Sequence, residues 1–312
     1  MCVIIAYHAP DVHCLRGCIV SLANQTVPRS DYEVFLVNAE GDSSIDALVK
    51  TFTEDSLKNF NFHYSRINQG GRAEARNYGI RHTRAKVLLF YASDFIAPPQ
   101  LLEQHIKFHE QNTDSRLVGI GPAFFSKTHE VTPFMRWLEE SGALFGVPLS
   151  ATTSTIPAEF FYGGNTSIKA DFLNEVGVFD KQLPHHCVED FELGHRLFKS
   201  GMKTVFLPEA FAYHDHHITM QERRLAMEEA GESTAILASK NPGFMEHVGY
   251  REASKRPASL IHLLATWYRT KYFLFRRNKE LSKYFELSMT QAWVKGYRSY
   301  KETNRSGASI AV

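Results

Sequence analysis

Residues 87–94 read Val-Leu-Leu-Phe-Tyr-Ala-Ser-Asp, a short apolar run that ends on a carboxylate. A run without polar positions is typical of a strand that a parallel sheet buries on both faces. Ligands of such sheets bind beyond the carboxyl ends of the strands. Asp94 is therefore predicted either to hold a divalent cation that bridges phosphates or to form a turn before Pro98 and Pro99.

Similar apolar runs lie before this strand and alternate with segments of helical periodicity. The strand-like runs are Val3–Ala6, Glu33–Val37 and Phe60–Ser65, and the helix-like segments are Leu15–Asn24, Ile45–Phe52 and Glu74–His82. Strands that alternate with helices indicate βαβ units, and the predicted class is therefore α/β with parallel strands. From about residue 221 onward the pattern is helical.

Composition excludes one large class of function. The 312 residues include 35 Lys and Arg against 34 Asp and Glu, which gives a formal net charge of +1. This balance argues against a protein whose whole surface binds nucleic acid, because phosphate neutralisation dominates such binding. The N-terminal apolar run becomes polar at His8, and the sequence has no apolar run of about 18 residues. We therefore expect no nucleic-acid partner, neither a signal peptide nor a membrane span, and a cytoplasmic location.

Two arginines follow a pair of glycines in the segment Asn68–Asn77, at the start of a predicted helix. Gly70 and Gly71 permit a close approach of the backbone. A helix N-terminus that carries Arg72 and Arg76 suits an anion such as a diphosphate. The alternative is a structural turn, which a Gly-Gly pair also forms.

An acidic pair, Glu189-Asp190, begins another predicted helix, in which Leu193 and Leu197 share one face. Carboxylates in a first helical turn are stabilised by the helix dipole, so the pair fits a capping role. A carboxylate in this position also suits general-base catalysis, in which it accepts a proton from a substrate hydroxyl.

Six segments together carry a resemblance to a known family. They are Val3–Tyr7, Ser21–Thr26, Ala75–Ile80, Gly163–Ser167, Val176–Asp180 and Glu189–Gly194. In order and spacing they resemble family 2 glycosyltransferases over residues 1–218. The resemblance implies a GT-A fold, which is Rossmann-like with a mixed, mainly parallel sheet flanked by helices. It also implies inverting transfer from a nucleoside-diphosphate sugar.

The same resemblance implies how the chain is divided and what it binds. Residues 1–100 would form the nucleotide-sugar-binding half of one glycosyltransferase domain, and residues 101–218 the acceptor-binding half. A helical C-terminal extension at 219–305 would follow, and the tail 306–312 is expected to be disordered. The expected donor is a nucleoside-diphosphate sugar, with a UDP-sugar favoured. The expected acceptor is a carbohydrate or a lipid-linked molecule, and the expected cofactor is Mg²⁺ or Mn²⁺.

The family's functional residues can be matched to this sequence position by position. Asp190 matches the catalytic base, and Glu189 precedes it in the catalytic pair. His214 matches a late histidine that contacts metal or diphosphate, so Asp94 and His214 are the expected metal ligands. Together with Arg72 from the helix start after Gly70 and Gly71, the predicted donor-binding residues are Tyr7, Glu40, Arg72, Arg76, Asp94, Gly164 and Asn165.

The sequence departs from the family pattern at two places. By spacing, Tyr91 and Ser93 stand where the family usually has two metal-binding acids, and only Asp94 remains. Asn38-Ala39-Glu40 likewise replaces an earlier acidic pair. These changes leave open an unusual donor, a metal held by Asp94 and His214 with diphosphate oxygens, metal-independent transfer, or lost activity.

Two other function classes remain as alternatives. A catalytically silent protein of the same fold, which binds sugar or nucleotide or scaffolds a complex, would fit the altered motif at Tyr91–Asp94. A nucleotidyltransferase shares the Rossmann-like base-binding half, but its glycine-rich signature is missing from the first residues of this sequence.

The segment 257–277 combines aromatic and aliphatic residues with several Lys and Arg. A basic, aromatic-rich helix can lie on an anionic membrane, which would place the protein peripherally at the inner face of the membrane. The same helix can instead pack against the catalytic domain.

Overall fold

A computed structural model describes residues 1–7, 12–41, 43, 45–55, 60–68, 70–146, 152, 160–181, 188–247 and 250–307. The chain divides into two compact units. The first contains Met1–Val131, Leu138–Gln182 and Glu189–His217, and the second contains Thr132–Trp137, Leu183–Val188 and Ile218–Val312. The last helix ends at Gly307, so it includes the first two residues of the predicted tail. Residues 308–312 of that tail lie outside the described residues.

The first unit contains all the described strands. They are β1 (Cys2–Tyr7), β2 (Glu33–Asn38), β3 (Phe62–Arg66), β4 (Val87–Tyr91), β5 (Phe95–Ile96), β6 (Leu117–Ile120), β7 (Ala123–Phe125), β8 (Asn165–Lys169), β9 (Lys203–Phe206) and β10 (Ala212–His214). The main sheet has seven strands in the order β3-β2-β1-β4-β8-β6-β9. Strand β8 is antiparallel to β4 and β6, whereas the other paired strands of this sheet are parallel. The predicted mixed, mainly parallel sheet is confirmed.

Helices cover both faces of the main sheet. The helices of this part of the chain are α1 (Val12–Ala23), α2 (Asp46–Asp55), α3 (Gly71–His82), α4 (Leu101–Gln111), α5 (Pro133–Ser141), α6 (Ala170–Val176) and α7 (Glu189–Lys199). Side chains of α1, α2 and α4 share one core with Val3 and Ile5, and side chains of α3, α6 and α7 share the other with Cys2 and Ile4. Because successive strand residues point to opposite faces, β1 needs apolar side chains at every position.

The carboxyl ends of β1, β2 and β4 meet at one edge of the sheet. Tyr7 at the end of β1 pairs with Asn38 at the end of β2. Because β8 is antiparallel, it begins at this same edge, where Asn165 pairs with Tyr91. The carbonyl of Gly164 accepts a hydrogen bond of 2.9 Å from the backbone N–H of the residue that follows Tyr91. The turn before β8 therefore lies beside the end of β4.

A second, three-stranded sheet has the order β5-β10-β7. Strand β10 is antiparallel to β5 and parallel to β7. The backbone N–H of Asp215 donates a hydrogen bond of 2.9 Å to the carbonyl of Asp94. This small sheet thereby places His214, the last residue of β10, next to the turn that follows β4.

The described part of the second unit is helical. Its main helices are α8 (Met220–Lys240), α9 (Arg251–Lys255), α10 (Ala258–Phe275) and α11 (Asn278–Gly307), and a 3₁₀ helix spans Pro242–His247. Thr219 and Glu222 begin α8 with a capping box, in which each side chain accepts a hydrogen bond from the other's backbone N–H. The predicted helical C-terminal region is confirmed. None of the helices described is both long and apolar enough to cross a bilayer.

Helices α8 and α11 approach each other closely at two glycines. A Cβ atom at Gly231 would overlap the backbone carbonyl of Trp293, and a Cβ atom at Gly296 would overlap that of Glu228. Any larger residue at either position would force the two helices apart, because backbone atoms cannot move aside as a flexible side chain can.

Candidate active site

The acidic pair at the start of α7 consists of one buried and one partly exposed carboxylate. Glu189 is buried, and its Oε1 accepts a hydrogen bond of 2.5 Å from Nη1 of Arg76. Asp190 is partly exposed. Its Oδ2 accepts from the backbone N–H of Gly163 at 3.2 Å, and its Oδ1 accepts from the backbone N–H of Phe191 at 3.0 Å. Backbone donors therefore orient Asp190 while part of it stays accessible.

Arg76 of α3 links the acidic pair to the turn before β8. Besides its ion pair with Glu189, it donates from Nη2 to the carbonyl of Gly163 at 3.3 Å. Its guanidinium carbon also lies 5.0 Å from the ring centre of Phe179. Arg76 was predicted to line the donor site. In the structure its guanidinium contacts protein groups, because a buried Glu189 needs a cationic partner, and a contact of Arg76 with a donor stays a prediction.

Gly163 provides the space that Arg76 occupies. A Cβ atom at Gly163 would overlap the guanidinium group of Arg76, and a Cβ atom at Gly164 would lie 2.7 Å from the ring of Tyr162. Gly164 was a predicted site residue and Gly163 was not, although the sequence signal is the same Gly-Gly pair. Close packing on both sides explains why the turn contains two glycines.

The pKa values of the two acids are displaced in opposite directions. Burial and the charge of Glu189 raise the pKa of Asp190 to about 6, and Arg76 opposes this rise only in part. Burial also disfavours ionisation of Glu189, but the charges of Arg76 and Arg72 outweigh it and lower the pKa of Glu189. Glu189 therefore stays ionised, whereas Asp190 can exchange a proton near neutral pH.

Asp94 and His214, the predicted metal ligands, are brought together by the small sheet. Nε2 of His214 lies 3.2 Å from Oδ2 of Asp94, and the two side chains are 5% and 22% exposed respectively. Burial would raise the pKa of Asp94, but the charges of His214, Arg72 and His216 lower it below its usual value. Within the described part of the chain, the buried Nδ1 of His214 has no hydrogen-bond partner.

The two positions where the family usually has acids are filled by buried, uncharged side chains. Tyr91 and Ser93 are 1% and 7% exposed, and the ring of Tyr91 packs edge-on against Phe95 at 5.7 Å. Across the described ranges, no three or more His, Cys, Asp or Glu side chains are grouped to hold a metal ion. Asp94 and His214 offer two ligands of types that divalent cations accept, so a cation here needs further ligands from a bound molecule.

The positive charge of Arg72 acts on both Asp94 and Glu189. Arg72 lies in the first turn of α3, after Gly70, whose φ of 98° is in the left-handed region that glycine allows. Its charge lowers the pKa of both Asp94 and Glu189. A cation near both groups suits an anionic ligand at this helix N-terminus, as predicted for a diphosphate.

Two further predicted donor-binding residues lie at the ends of β1 and β2. Tyr7 is 3% exposed, so its ring belongs mainly to the core. Glu40 follows β2, and its backbone N–H donates a hydrogen bond of 2.9 Å to Oδ1 of Asn38. Both residues are on the predicted sheet edge, and their contact with a donor stays a prediction.

Asn165 has a structural environment that the sequence did not reveal. Its side chain is fully buried, its Nδ2 donates to the carbonyl of Ala210 at 2.7 Å, and its Oδ1 lies 3.0 Å from Nε2 of His105. Asn165 was predicted to line the donor site; its amide is engaged within the protein, and a contact of this residue with a donor stays a prediction. The cause is that β8 lies between two strands and is covered on both faces.

Comparison with known proteins agrees with this fold. Residues 1–177 match the family described as Glycosyl transferase family 2. The uncharacterized glycosyltransferase YfnE of Bacillus subtilis (strain 168) is 23% identical over 248 residues, which cover 65% of this chain and 62% of that protein. A chondroitin synthase of Pasteurella multocida (strain Pm70) is 24% identical over 225 residues, which cover 62% of this chain and 23% of that protein. The chain therefore spans less than two thirds of the length of these relatives.

Solved structures show the same architecture. The mannosyltransferase PcManGT from Pyrobaculum calidifontis, in complex with GDP-Man and Mn²⁺, has a TM-score of 0.63 at 14% identity over 94% of this chain and 86% of that one. Residues 1–349 of S. aureus TarS in complex with UDP-GlcNAc have a TM-score of 0.52 at 16% identity over 98% of this chain and 91% of that one. The GT-A fold implied by the sequence resemblance is confirmed. Since the family match covers more than half of its residues, the chain belongs to glycosyl transferase family 2.

Proposed function

We propose that this chain is an inverting glycosyltransferase that moves a sugar from a nucleoside-diphosphate sugar to an acceptor hydroxyl, with Asp190 as general base. The observation that carries the proposal is the environment of Asp190. It is partly exposed, held by the backbone N–H of Gly163, and has a pKa raised to about 6. A base with a pKa near the working pH is the most effective kind for removing a hydroxyl proton.

The reaction would proceed by one displacement. The acceptor oxygen attacks the anomeric carbon while its proton passes to a carboxylate oxygen of Asp190, and the bond from that carbon to the diphosphate oxygen breaks. The electron pair of that bond leaves with the nucleoside diphosphate, and attack from the opposite side inverts the configuration. Glu189 has a positioning role here, because its ion pair with Arg76 holds the turn that donates to Asp190.

For the leaving diphosphate we propose two sources of positive charge. Arg72 lies at the N-terminus of α3, where an anion is favoured. Asp94 and His214 would hold Mg²⁺ or Mn²⁺ together with diphosphate oxygens. The carboxylate and phosphate oxygens suit both ions, whereas the imidazole suits Mn²⁺ better than Mg²⁺, which prefers oxygen ligands. A bound cation would offset the charge that develops on the leaving group.

A UDP-sugar is the favoured donor, and the proposed acceptor is a carbohydrate. TarS was solved with UDP and with UDP-GlcNAc, whereas PcManGT was solved with GDP-Man. The experiment below therefore compares donors that carry different nucleotides. Similarity to a chondroitin synthase supports a carbohydrate acceptor. A lipid-linked molecule is the second proposed acceptor, and the proposed location of the protein is the cytoplasm.

The test measures transfer or hydrolysis of UDP-, GDP-, CDP- and dTDP-sugars with and without Mn²⁺. We expect Asp190→Asn to lower the rate by about 10²-fold or more, since that is the usual contribution of a general base. The matched control is Asp171→Asn, an exposed carboxylate in the first turn of α6. Near-normal turnover by Asp190→Asn would refute the assignment of the base.

A second candidate function is binding without transfer. The observation that favours it is the uncharged pair Tyr91 and Ser93 at the usual metal positions. A ligand increases the free energy of unfolding by RT ln(1 + [L]/Kd) and thereby raises the melting temperature, so binding is measurable without turnover. The binding function would be favoured if UDP raised the melting temperature of the wild-type protein while none of the four donors was turned over.

A further inference from the structure

Helix α10 in the second unit has one covered side and one uncovered side. Ile261 and Ala265 are buried on the side that packs on α11. Large apolar side chains recur at helical spacing on the other side, and more of them follow at the C-terminal end. Their exposed fractions are 42% for Leu260, 65% for Leu263, 58% for Trp267, 57% for Phe273, 70% for Leu274 and 58% for Phe275. We name these six side chains the α10 apolar surface.

Positive charge accompanies this surface. From Pro257 to Lys279 the sequence contains five Lys or Arg and no Asp or Glu. The guanidinium carbon of Arg269 lies 5.9 Å from the ring centre of Phe273, and that of Arg277 lies 5.8 Å from the ring centre of Phe275. The cations are therefore interleaved with the apolar groups and not confined to a separate face.

We propose that the α10 apolar surface docks the protein on an anionic lipid surface. Aromatic and aliphatic side chains would enter the boundary between headgroups and acyl chains, while the neighbouring cations contact lipid phosphates. An apolar stripe interleaved with Lys and Arg is the pattern of helices that lie in this boundary. The proposal goes beyond sugar transfer and does not depend on it.

Charge complementarity favours lipid over a second copy of this chain. If two copies met through this surface, the arginines beside it, Arg269, Arg276 and Arg277, would face those of the other copy, and like charges across an interface oppose association. The cores of homodimer interfaces are also depleted in charged residues. An anionic bilayer instead offers apolar depth and negative charge together.

Flotation of the full chain with vesicles tests the proposal without donor or acceptor. We expect the wild type to float with vesicles of phosphatidylcholine mixed with phosphatidylglycerol, less with phosphatidylcholine alone, and less at high salt. The double variant Trp267→Ser, Leu274→Ser should bind at least about tenfold more weakly. The matched control is Leu225→Ser, which alters a leucine of α8 that is 58% exposed.

Charge is tested in the same assay. Arg269→Gln with Arg277→Gln should weaken binding to the anionic vesicles about tenfold. Arg224→Gln, which alters an exposed arginine of α8, should leave it unchanged. Circular dichroism of each variant checks that the helices are retained.

Fluorescence locates the contact. Brominated lipids should quench the emission of the wild type through Trp267, which is 58% exposed, since Trp293 is 2% exposed and Trp137 lies on α5, outside the α10 apolar surface. Trp267→Phe should float normally and lose that quenching. The proposal is overturned if anionic vesicles bind no protein, if Leu225→Ser weakens binding as much as the double variant does, or if the double variant floats normally but turns a dimer into a monomer. Vesicle binding by a protein that transfers no sugar would leave this inference standing and refute only the proposed function.

Discussion

Replacing Asp190 by Asn should increase the stability of the protein while it removes the proposed base. The ordinary pKa of the carboxyl is 3.8, and its surroundings in the folded protein raise it to about 6. The folded state therefore holds this proton more tightly than the unfolded chain does. Stability from this group is greatest below the ordinary pKa and falls as the pH rises through this window.

The magnitude follows from the contacts of Asp190. A pKa displaced by about two pH units corresponds to about 3 kcal/mol at neutral pH, and partial exposure reduces that figure. Asn also keeps only one acceptor oxygen where Asp190 accepts from both Gly163 and Phe191, which costs about 1 kcal/mol. We expect a net gain of about 1 kcal/mol at pH 7, or a melting temperature higher by about 2–4 °C.

Thermal unfolding at pH 7 and pH 4 is the assay. The gain from Asp190→Asn should be present at pH 7 and absent at pH 4, where the wild-type carboxyl is protonated in the fold. Asp171→Asn controls for the loss of a carboxylate in a first helical turn and should change little at either pH. Equal destabilisation by Asp190→Asn at both pH values would refute the reasoning, because it would show that its hydrogen bonds outweigh its charge.

Three further predictions concern the pH dependence of transfer, the turn at Gly163 and the packing of α8 on α11. The rate of sugar transfer should fall about tenfold per pH unit below about pH 6, because Asp190 must be ionised to accept a proton, and a flat pH–rate profile of kcat/KM would contradict this. Gly163→Ala should lower transfer at least about tenfold, because its methyl group displaces Arg76; unchanged transfer at saturating donor would exclude that role. Gly231→Ala should lower the free energy of unfolding by about 2–4 kcal/mol in denaturant titrations, because its methyl group meets the backbone of α11, whereas Gly243→Ala has room and should be neutral.

The sequence predicted the sheet well because a strand that is buried on both faces has apolar residues at nearly every position. All but one position of β1 and all but one position of β4 are buried, so both appear as continuous apolar runs. Boundaries were less accurate where the local signal is weak. Helix α3 was predicted to begin at Glu74 but begins at Gly71. Gly70 and Gly71 both have positive φ. Two consecutive glycines are more typical of a turn than of a helix, so the sequence did not reveal where the helix starts.

The site was predictable only in part, because side-chain partners are set by tertiary contacts. The acidic pair and the Gly-Gly turn were identified by residue type and order. The buried amide of Asn165 depends on His105 and Ala210, which are 60 and 45 positions away in the chain. No local pattern encodes such contacts, so the sequence alone does not predict that this amide is bonded within the protein.

The strongest argument for Asp190 as the base is a difference between two neighbours. Adjacent carboxylates at one helix start share the same dipole, so the sequence gives no reason to separate their roles. Arg76, 113 positions away, pairs with Glu189 and not with Asp190. That contact, with the charge of Arg72, keeps Glu189 ionised, and the charge of Glu189 helps to raise the pKa of Asp190. Two titratable groups whose surroundings displace their pKa values in opposite directions are the mark of a division between a fixed charge and a proton acceptor.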